Sequence, residues 1–509
     1  MLPLRSTFIL PLLATLLLCP VVGVAAAARE AAPQWVSTPR ATRLPISATN
    51  RPFLAANRAQ SPVDLAAGGY VEEEALLSGR SNLYDWGPDA RARAATQGPG
   101  ESWTTRMLIR RPSDQRRFSG RVVLELLAAA DQYDTAPVWG LSQPYFMRSG
   151  DVWVGLTIQP SALAALQRFD PVRYAKLSLP APKSLECAVD ATADAGLAWD
   201  LIAQAGAMVR SASKENPLAE LHPRRVVLAG HGDAGGYVIA YANAMNQPWR
   251  LVGGSPVFNA YVSVSSARAQ KLHPCAAALD EGDPRNGVMP RDVPFLAVMT
   301  QGDLTASTAS TALPVRRASS DAPDDTFGYY ELPAAAPRGL WPAGLPAQAD
   351  LSIAAISAPE PVCRQAPSNY PAGLVLNALW RGLDSLLIDN QPMIQTPRIE
   401  TDAAGQPLLD EQGNALGGWR LPMLDVPLAA YAGHGEPAAD APAVAGNLCA
   451  RTATMRPLEP AQLKALHGDR AGYLKRFNEA IDGAVDGRRL LAEDAQALKN
   501  AATRAAPTF

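Results

Sequence analysis

The stretch Val226-Val227-Leu228-Ala229-Gly230-His231-Gly232-Asp233-Ala234-Gly235-Gly236-Tyr237 restricts the fold more than any other part of the chain. An apolar run short enough for one buried strand meets a cluster of glycines. A helical spacing then follows through Val238, Tyr241, Ala242 and Met245. Strand, tight glycine turn and helix make a nucleophile elbow, in which a sharp turn lifts one side chain clear of a sheet. The residues two before and two after the tip must be small, because the two backbones nearly touch there. Gly230 and Ala234 meet that demand, which puts Gly232 at the tip. Gly232 has no side chain, so the elbow is expected without its nucleophile.

A second register places Asp233 at the tip. Carboxylates serve as nucleophiles in covalent catalysis, and Gly235 then fits two residues on. His231, however, becomes the residue two before the tip and is too bulky for the close approach. Glycines that merely permit positive φ in an ordinary strand-to-helix turn are the plainest alternative. A phosphate-cradling loop is disfavoured: Gly230, Gly232 and Gly235 do fall at G-x-G-x-x-G spacing, but that spacing alone is a weak signal and no G-K-[ST] occurs in this stretch.

Apolar runs on both sides of the elbow extend the same pattern. Met107-Leu108-Ile109, Val122 to Leu127, Val152 to Ile158, Val293 to Met299 and Phe327 to Leu332 read as strands. Trp139 to Met147, Asp194 to Val209 and Asn377 to Ile388 read as helices between or after them. Strands alternating with helices predict βαβ units and a mostly parallel sheet. Two turn signals, at 402–405 and 411–414, predict hairpin-like strands within 398–421. Two amphipathic helices are expected near 460–485 and 492–505.

The chain has 509 residues and a formal charge of −2, with 18% charged residues, which points to no nucleic-acid or anionic-surface partner. Met1 to Ala28 has a positive start at Arg5, an apolar centre and a small-residue end, the pattern of a cleaved secretory signal. No later run approaches the ~20 apolar residues of a membrane span. A secreted or periplasmic location is therefore expected. Export would leave Cys187, Cys275, Cys363 and Cys449, whose even number suggests two disulfides and allows three pairings. Cys363 with Cys449 is the preferred pair because both flank the insertion, and Cys187 with Cys275 remains. The expected organisation is a signal at 1–28, an irregular linker at 29–68 and one large domain at 69–509. Within that domain, 340–372 and 396–450 are read as insertion or lid segments and 458–506 as terminal helices.

From about residue 69 onward the chain resembles a large bacterial family of α/β-hydrolase-domain proteins. The family's elbow reads G-x-S-Q-[ST]-G, often followed by G-Y and a helix ending in Y-x-N. Gly230 to Tyr237, with Tyr241 and Asn243, matches that layout. Gly69 to Glu74, Thr105-Arg106, Arg110-Arg111-Pro112, Asp170 to Tyr174, Asp292-Val293-Pro294, Pro397 to Glu400, Gly413 to Gly418 and Asp425-Val426-Pro427 also match. The resemblance implies an α/β-hydrolase fold: a mostly parallel central sheet, helices on both faces, a lid-like insertion and C-terminal helices.

The departures fall on the chemistry. The family serine aligns with Gly232. Its histidine segment, E-[VL]-P-G-[AT]-[AS]-H, aligns with Glu331 to Pro337, so Pro337 replaces the base. The acid-bearing loop aligns with Thr300 to Asp303 and keeps Asp303. A strand ending that usually reads V-E-W-L-N is here Leu124-Glu125-Leu126-Leu127-Ala128. Serine attack needs a hydroxyl, a base and an acid that orients the base, and glycine and proline supply neither of the first two.

Five histidines are present. His231 is expected to turn into the strand–helix packing, while His434, between Gly433 and Gly435, sits where it could fold over a pocket. His222, His273 and His467 read as solvated or capping residues. Among these candidates, His231, Gly235 and His434 are the positions for contact with a ligand. No H-x-x-E-H, H-E-x-x-H or paired C-x-x-C spacing occurs, and no metal or cofactor is expected. The expected reading is an exported protein of esterase-like ancestry, hydrolytically degenerate, that binds a small organic ligand or a partner. The alternative is an active carboxylic-ester hydrolase that works through Asp233 or through water activated by Asp303.

Overall fold

The computed structural model describes residues 34–87, 90–94, 100–306, 316–338 and 341–509. The signal-like segment Met1 to Ala28 lies outside them. Ten strands build the main sheet: β1 (Arg40–Leu44), β2 (Tyr70–Ser81), β3 (Glu101–Pro112), β4 (Arg121–Leu126), β5 (Val152–Leu156), β6 (Arg225–His231), β7 (Ala260–Val264), β8 (Phe295–Thr300), β9 (Ser320–Ala322) and β10 (Asp325–Leu332). Their spatial order is β9-β10-β8-β7-β6-β4-β5-β3-β2-β1. The six strands from β10 to β5 in that order are parallel, and antiparallel pairs close both ends.

Helices on both faces bury the sheet, which is why its strands read as continuous apolar runs rather than alternating ones. Along β6, Val227 and Ala229 join one core and Val226 and Leu228 the other. The first core takes helix α1 (Pro137–Ser149) and the second takes α2 (Ala198–Arg210) and α3 (Asp233–Ala244). Helix α4 (Ala372–Asp389) packs beside α1, with Trp380 Nε1 donating to Ser142 Oγ at 2.9 Å.

β2 and β3 pair over twelve residues each, from Tyr70 opposite Pro112 to Ser81 opposite Glu101. Only 107–109 reads as a strand by apolar pattern, because charged residues interrupt the rest. Those charges meet across the ladder. Arg110 donates to Glu72 at 2.8 Å, and its guanidinium lies 4.5 and 4.7 Å from the rings of Trp139 and Trp153. Arg106 reaches Asp134 at 2.8 Å, and Arg173 donates to Glu74 at 2.6 Å. Arg106 also donates to Phe53 O, and Arg110 to Leu54 O. Buried charge is tolerated only when paired in this way. The arrangement draws 51–56 into the core and, with β1 at the edge, makes much of the expected linker part of the fold.

The C-terminal region holds three helices rather than two: α5 (Pro460–His467), α6 (Arg470–Asp486) and α7 (Ala492–Ala505). Gly468 at φ +77° breaks the first predicted helix, and Asp469 caps the next by accepting from Gly472 N–H. Between 398 and 417 the hairpin-like signals resolve into two Asx loops. Asp402 Oδ1 accepts from Ala404 and Gln406 N–H, and Asp410 Oδ1 accepts from Gln412 and Asn414 N–H. Isolated bridges such as Leu409 with Ala415 replace full strands. Two disulfides form, Cys187–Cys275 and Cys363–Cys449, with Cα atoms 5.6 and 5.5 Å apart. No helix among the described residues is long and apolar enough to cross a membrane.

Candidate active site

β6 ends at His231, Gly232 occupies the turn at φ +58° and ψ −126°, and α3 starts at Asp233. The turn is tight for a steric reason. A Cβ on Gly230 would stand 2.5 Å from Ala234 O, closer than any real contact. A Cβ on Gly232 would have no heavy atom within 4 Å, so this turn points into open space. The Gly235 side faces elsewhere, toward Ser263 Oγ and Ser266 Cβ at 2.8 Å. Asp233 is exposed. Gly232 N–H donates to Val264 O at 2.9 Å, fastening the turn to β7.

Two loops meet beside it. The segment after β8 holds Asp303, whose Oδ2 accepts from Thr300 N–H and Thr300 Oγ, each at 2.7 Å. Burial pushes the Asp303 carboxyl upward, against the Thr300 and Ser265 groups and the positive charge of Arg451. The segment after β10 holds Pro337. Gly302 N–H donates to Ala335 O at 3.0 Å, and Gln301 Oε1 accepts from Ala334 N–H at 2.8 Å. A Cβ on Gly302 would lie 2.9 Å from Pro337 Cδ and 2.4 Å from Gly433 O. The 302, 337 and 433 backbones therefore touch, and His434 follows on the exposed side of that junction.

A cavity of about 250 Å³ lies beside these elements; neighbours of the turn and of both loops line it, but Gly232, Asp303, Pro337, Gly235 and His434 themselves do not. His231, Val264, Ser265, Thr300 and Ala334 to Ala336 form its inner wall. Trp341, Tyr370 and Leu376 also line it, together with the charged residues Asp131, Arg338 and Glu360. The His231 ring faces this space, 5.8 Å from the Trp341 ring, instead of turning into the strand–helix packing. Its strand partner is Val264, and parallel partners project on the same side. Burial, with Arg451 adding to it, lowers the His231 pKa to about 4, so the ring is neutral at ordinary pH. Two non-glycine residues on the cavity wall, Ser265 at φ 51° and Ala334 at φ 63°, hold left-handed backbone. Such strain costs about 1–3 kcal/mol each and gathers at functional sites.

Trp341, Tyr370, Ser265 and Arg338 carried no recognisable pattern in the sequence. They come from three separate segments and meet only once the sheet is assembled. Pro337 was the one nearby signal that pointed toward Arg338. Among the described residues no group of three or more His, Cys, Asp or Glu is placed to hold a metal ion.

A ten-stranded, largely parallel sheet with an elbow at the end of a central strand defines an α/β-hydrolase-fold protein. The chain belongs to the alpha/beta hydrolase domain family, whose model matches residues 36–500. No curated protein matches it. Among solved structures, esterase Est22 is similar at 12% identity over 46% of this chain and 66% of its own length, with a TM-score of 0.27. An arylesterase is similar at 9% identity over 45% of this chain and 72% of its own, with a TM-score of 0.26. A lipase/esterase from Lactobacillus plantarum is similar at 12% over 47% and 89%, with a TM-score of 0.28. The matched region spans just under two thirds of Est22.

Proposed function

We propose that this is an exported binding protein built on an esterase scaffold, one that has lost serine hydrolysis and keeps its cavity for a small organic ligand. The observation that carries the reading is the turn at Gly232. Its backbone has the strained geometry that presents a nucleophile, its neighbours are packed to hold it, and no side chain fills the space. Proline at 337, against the loop of Asp303, offers neither a base nor a backbone N–H. The cavity walls are mainly apolar, with a few polar groups, as small-molecule sites usually are. Several residues between 341 and 376, Trp341 and Tyr370 among them, line the cavity, which supports a lid role for the 340–372 insertion.

The test is direct. A fluorophosphonate probe should leave the mature protein unlabelled, and aryl and acyl esters should not turn over. Apolar acyl or aromatic compounds should raise its melting temperature. Robust ester hydrolysis abolished by Asp233→Asn or Asp303→Asn would replace this reading with an active hydrolase.

A further inference from the structure

A second chamber adjoins the cavity. Ala130, Gln132, Arg168, Ile356, Ser357 and Leu448 help line a cleft of about 360 Å³. Asp131, Arg338, Ala358 and Pro359 belong to the walls of both spaces. The partition is therefore the 358–359 backbone and one ion pair, Arg338 Nη1 to Asp131 Oδ2 at 3.3 Å. Its side chains are 28% and 41% exposed. An exposed pair of this kind contributes little net stability, so Arg338 can exchange Asp131 for another anion without disturbing the fold.

The two spaces differ in charge. The inner cavity sets Asp131 and Glu360 against Arg338 alone, with His231 neutral. The outer cleft sets Arg168 and Arg338 against Asp131 alone. Arg168 is anchored by Nε donating to Ala354 O at 2.8 Å, and its remaining guanidinium N–H groups have no partner among the described residues. Two guanidiniums flanking one cleft make a fork suited to a carboxylate.

We propose that the ligand is an elongated amphipathic carboxylate. Its apolar body fills the inner cavity, and its carboxylate lies in the outer cleft between Arg168 and Arg338. The proposal rests on the ligand-binding reading above and narrows it to one chemical class. It also gives the degenerate elbow a rationale, since a free acid presents no ester bond to attack.

Isothermal titration with decanoate and with decan-1-ol separates the possibilities. Charge-assisted hydrogen bonds are worth roughly 10- to 100-fold, so decanoate should bind tighter than the alcohol by that factor. Arg168→Met and Arg338→Met should each bring decanoate toward the alcohol's affinity, and Arg168→Met, whose residue lines only the outer cleft, should leave the alcohol unchanged. Asp131→Asn should strengthen decanoate binding several-fold by removing the competing anion. All three sites are partly or largely exposed, and circular dichroism with melting curves verifies that the variants fold. Equal affinity for acid and alcohol, or indifference of decanoate to both arginine changes, overturns the carboxylate proposal and leaves the binding reading standing. Failure of both compounds, together with every apolar ligand tried, overturns both.

Discussion

Position 232 is where a single residue has the largest consequence. Glycine there keeps the positive φ of the turn without penalty, and a serine would have room but pay for left-handed backbone with about 1 kcal/mol of stability. Gly232→Ser alone is expected to restore little ester turnover, since Pro337 leaves the hydroxyl without a base. Gly232→Ser with Pro337→His should exceed either single change by far more than additivity, because general-base assistance is typically worth ~10²–10⁴-fold. Initial rates on an aryl ester for the four proteins measure it, and additive rates would mean that residues 232 and 337 do not act together.

His231 offers a second residue-level check. Its folded pKa of about 4 lies below that of an unfolded histidine, so the unfolded chain binds the extra proton as pH falls. The contribution is whole above pH ~6.5 and is lost progressively down to pH ~4, amounting to about 3 kcal/mol. Glu125 works the other way. Burial raises its pKa to about 7, so its contribution is present at low pH and fades as pH rises through 7. The difference between wild type and His231→Gln, followed by melting temperature from pH 7 to 5, isolates the histidine. A difference that does not change across that window would contradict the assignment.

At the level of elements, the first turn of α1 depends on one carboxylate from the sheet. Glu125 in β4 accepts from Val138 and Trp139 N–H at 2.8 Å and from Trp153 Nε1 at 2.7 Å. Helix N-termini need such partners for their free N–H groups, and here the helix presents Leu141 to the cavity wall. Glu125→Ala would leave three buried donors unpaired and should destabilise by about 3 kcal/mol or more. Denaturant unfolding measures this, and a loss under about 1 kcal/mol would show that α1 is held by packing alone. The sequence marked Glu125 as part of a motif, but its role as a cap depends on a helix that starts twelve residues later and folds back against the strand.

Across the whole molecule, the Cys363–Cys449 bond ties the 363 segment to the turn before Thr452 and Ala453 on the cavity wall. Replacing both cysteines by serine should lower the melting temperature, with a stability loss of up to about 4–5 kcal/mol in the loop-entropy account, and weaken ligand binding with it. Calorimetry on the oxidised and double-serine proteins checks both effects. Export carries its own expectation: N-terminal sequencing of protein recovered outside the cytoplasm should begin near Arg29. A first residue at Met1 in that fraction would remove the signal reading.

The sheet's parallel centre and the elbow were legible because they rest on local rules. A strand buried on both faces must be apolar throughout, and a strand–helix crossing at the Gly230–Ala234 contact tolerates almost no side chain. That glycine and proline stand at 232 and 337, where the family resemblance implies a serine and a histidine, could likewise be read directly. Other features depended on pairing across distance. The long β2–β3 ladder hid behind charges that only their cross-strand partners neutralise. The orientation of His231 toward the cavity followed from its register with Val264. The cavity itself, and the Arg168 and Arg338 cleft beside it, are made of side chains more than a hundred residues apart. No local pattern encodes such a meeting, because it is the packed sheet that brings those residues to one place.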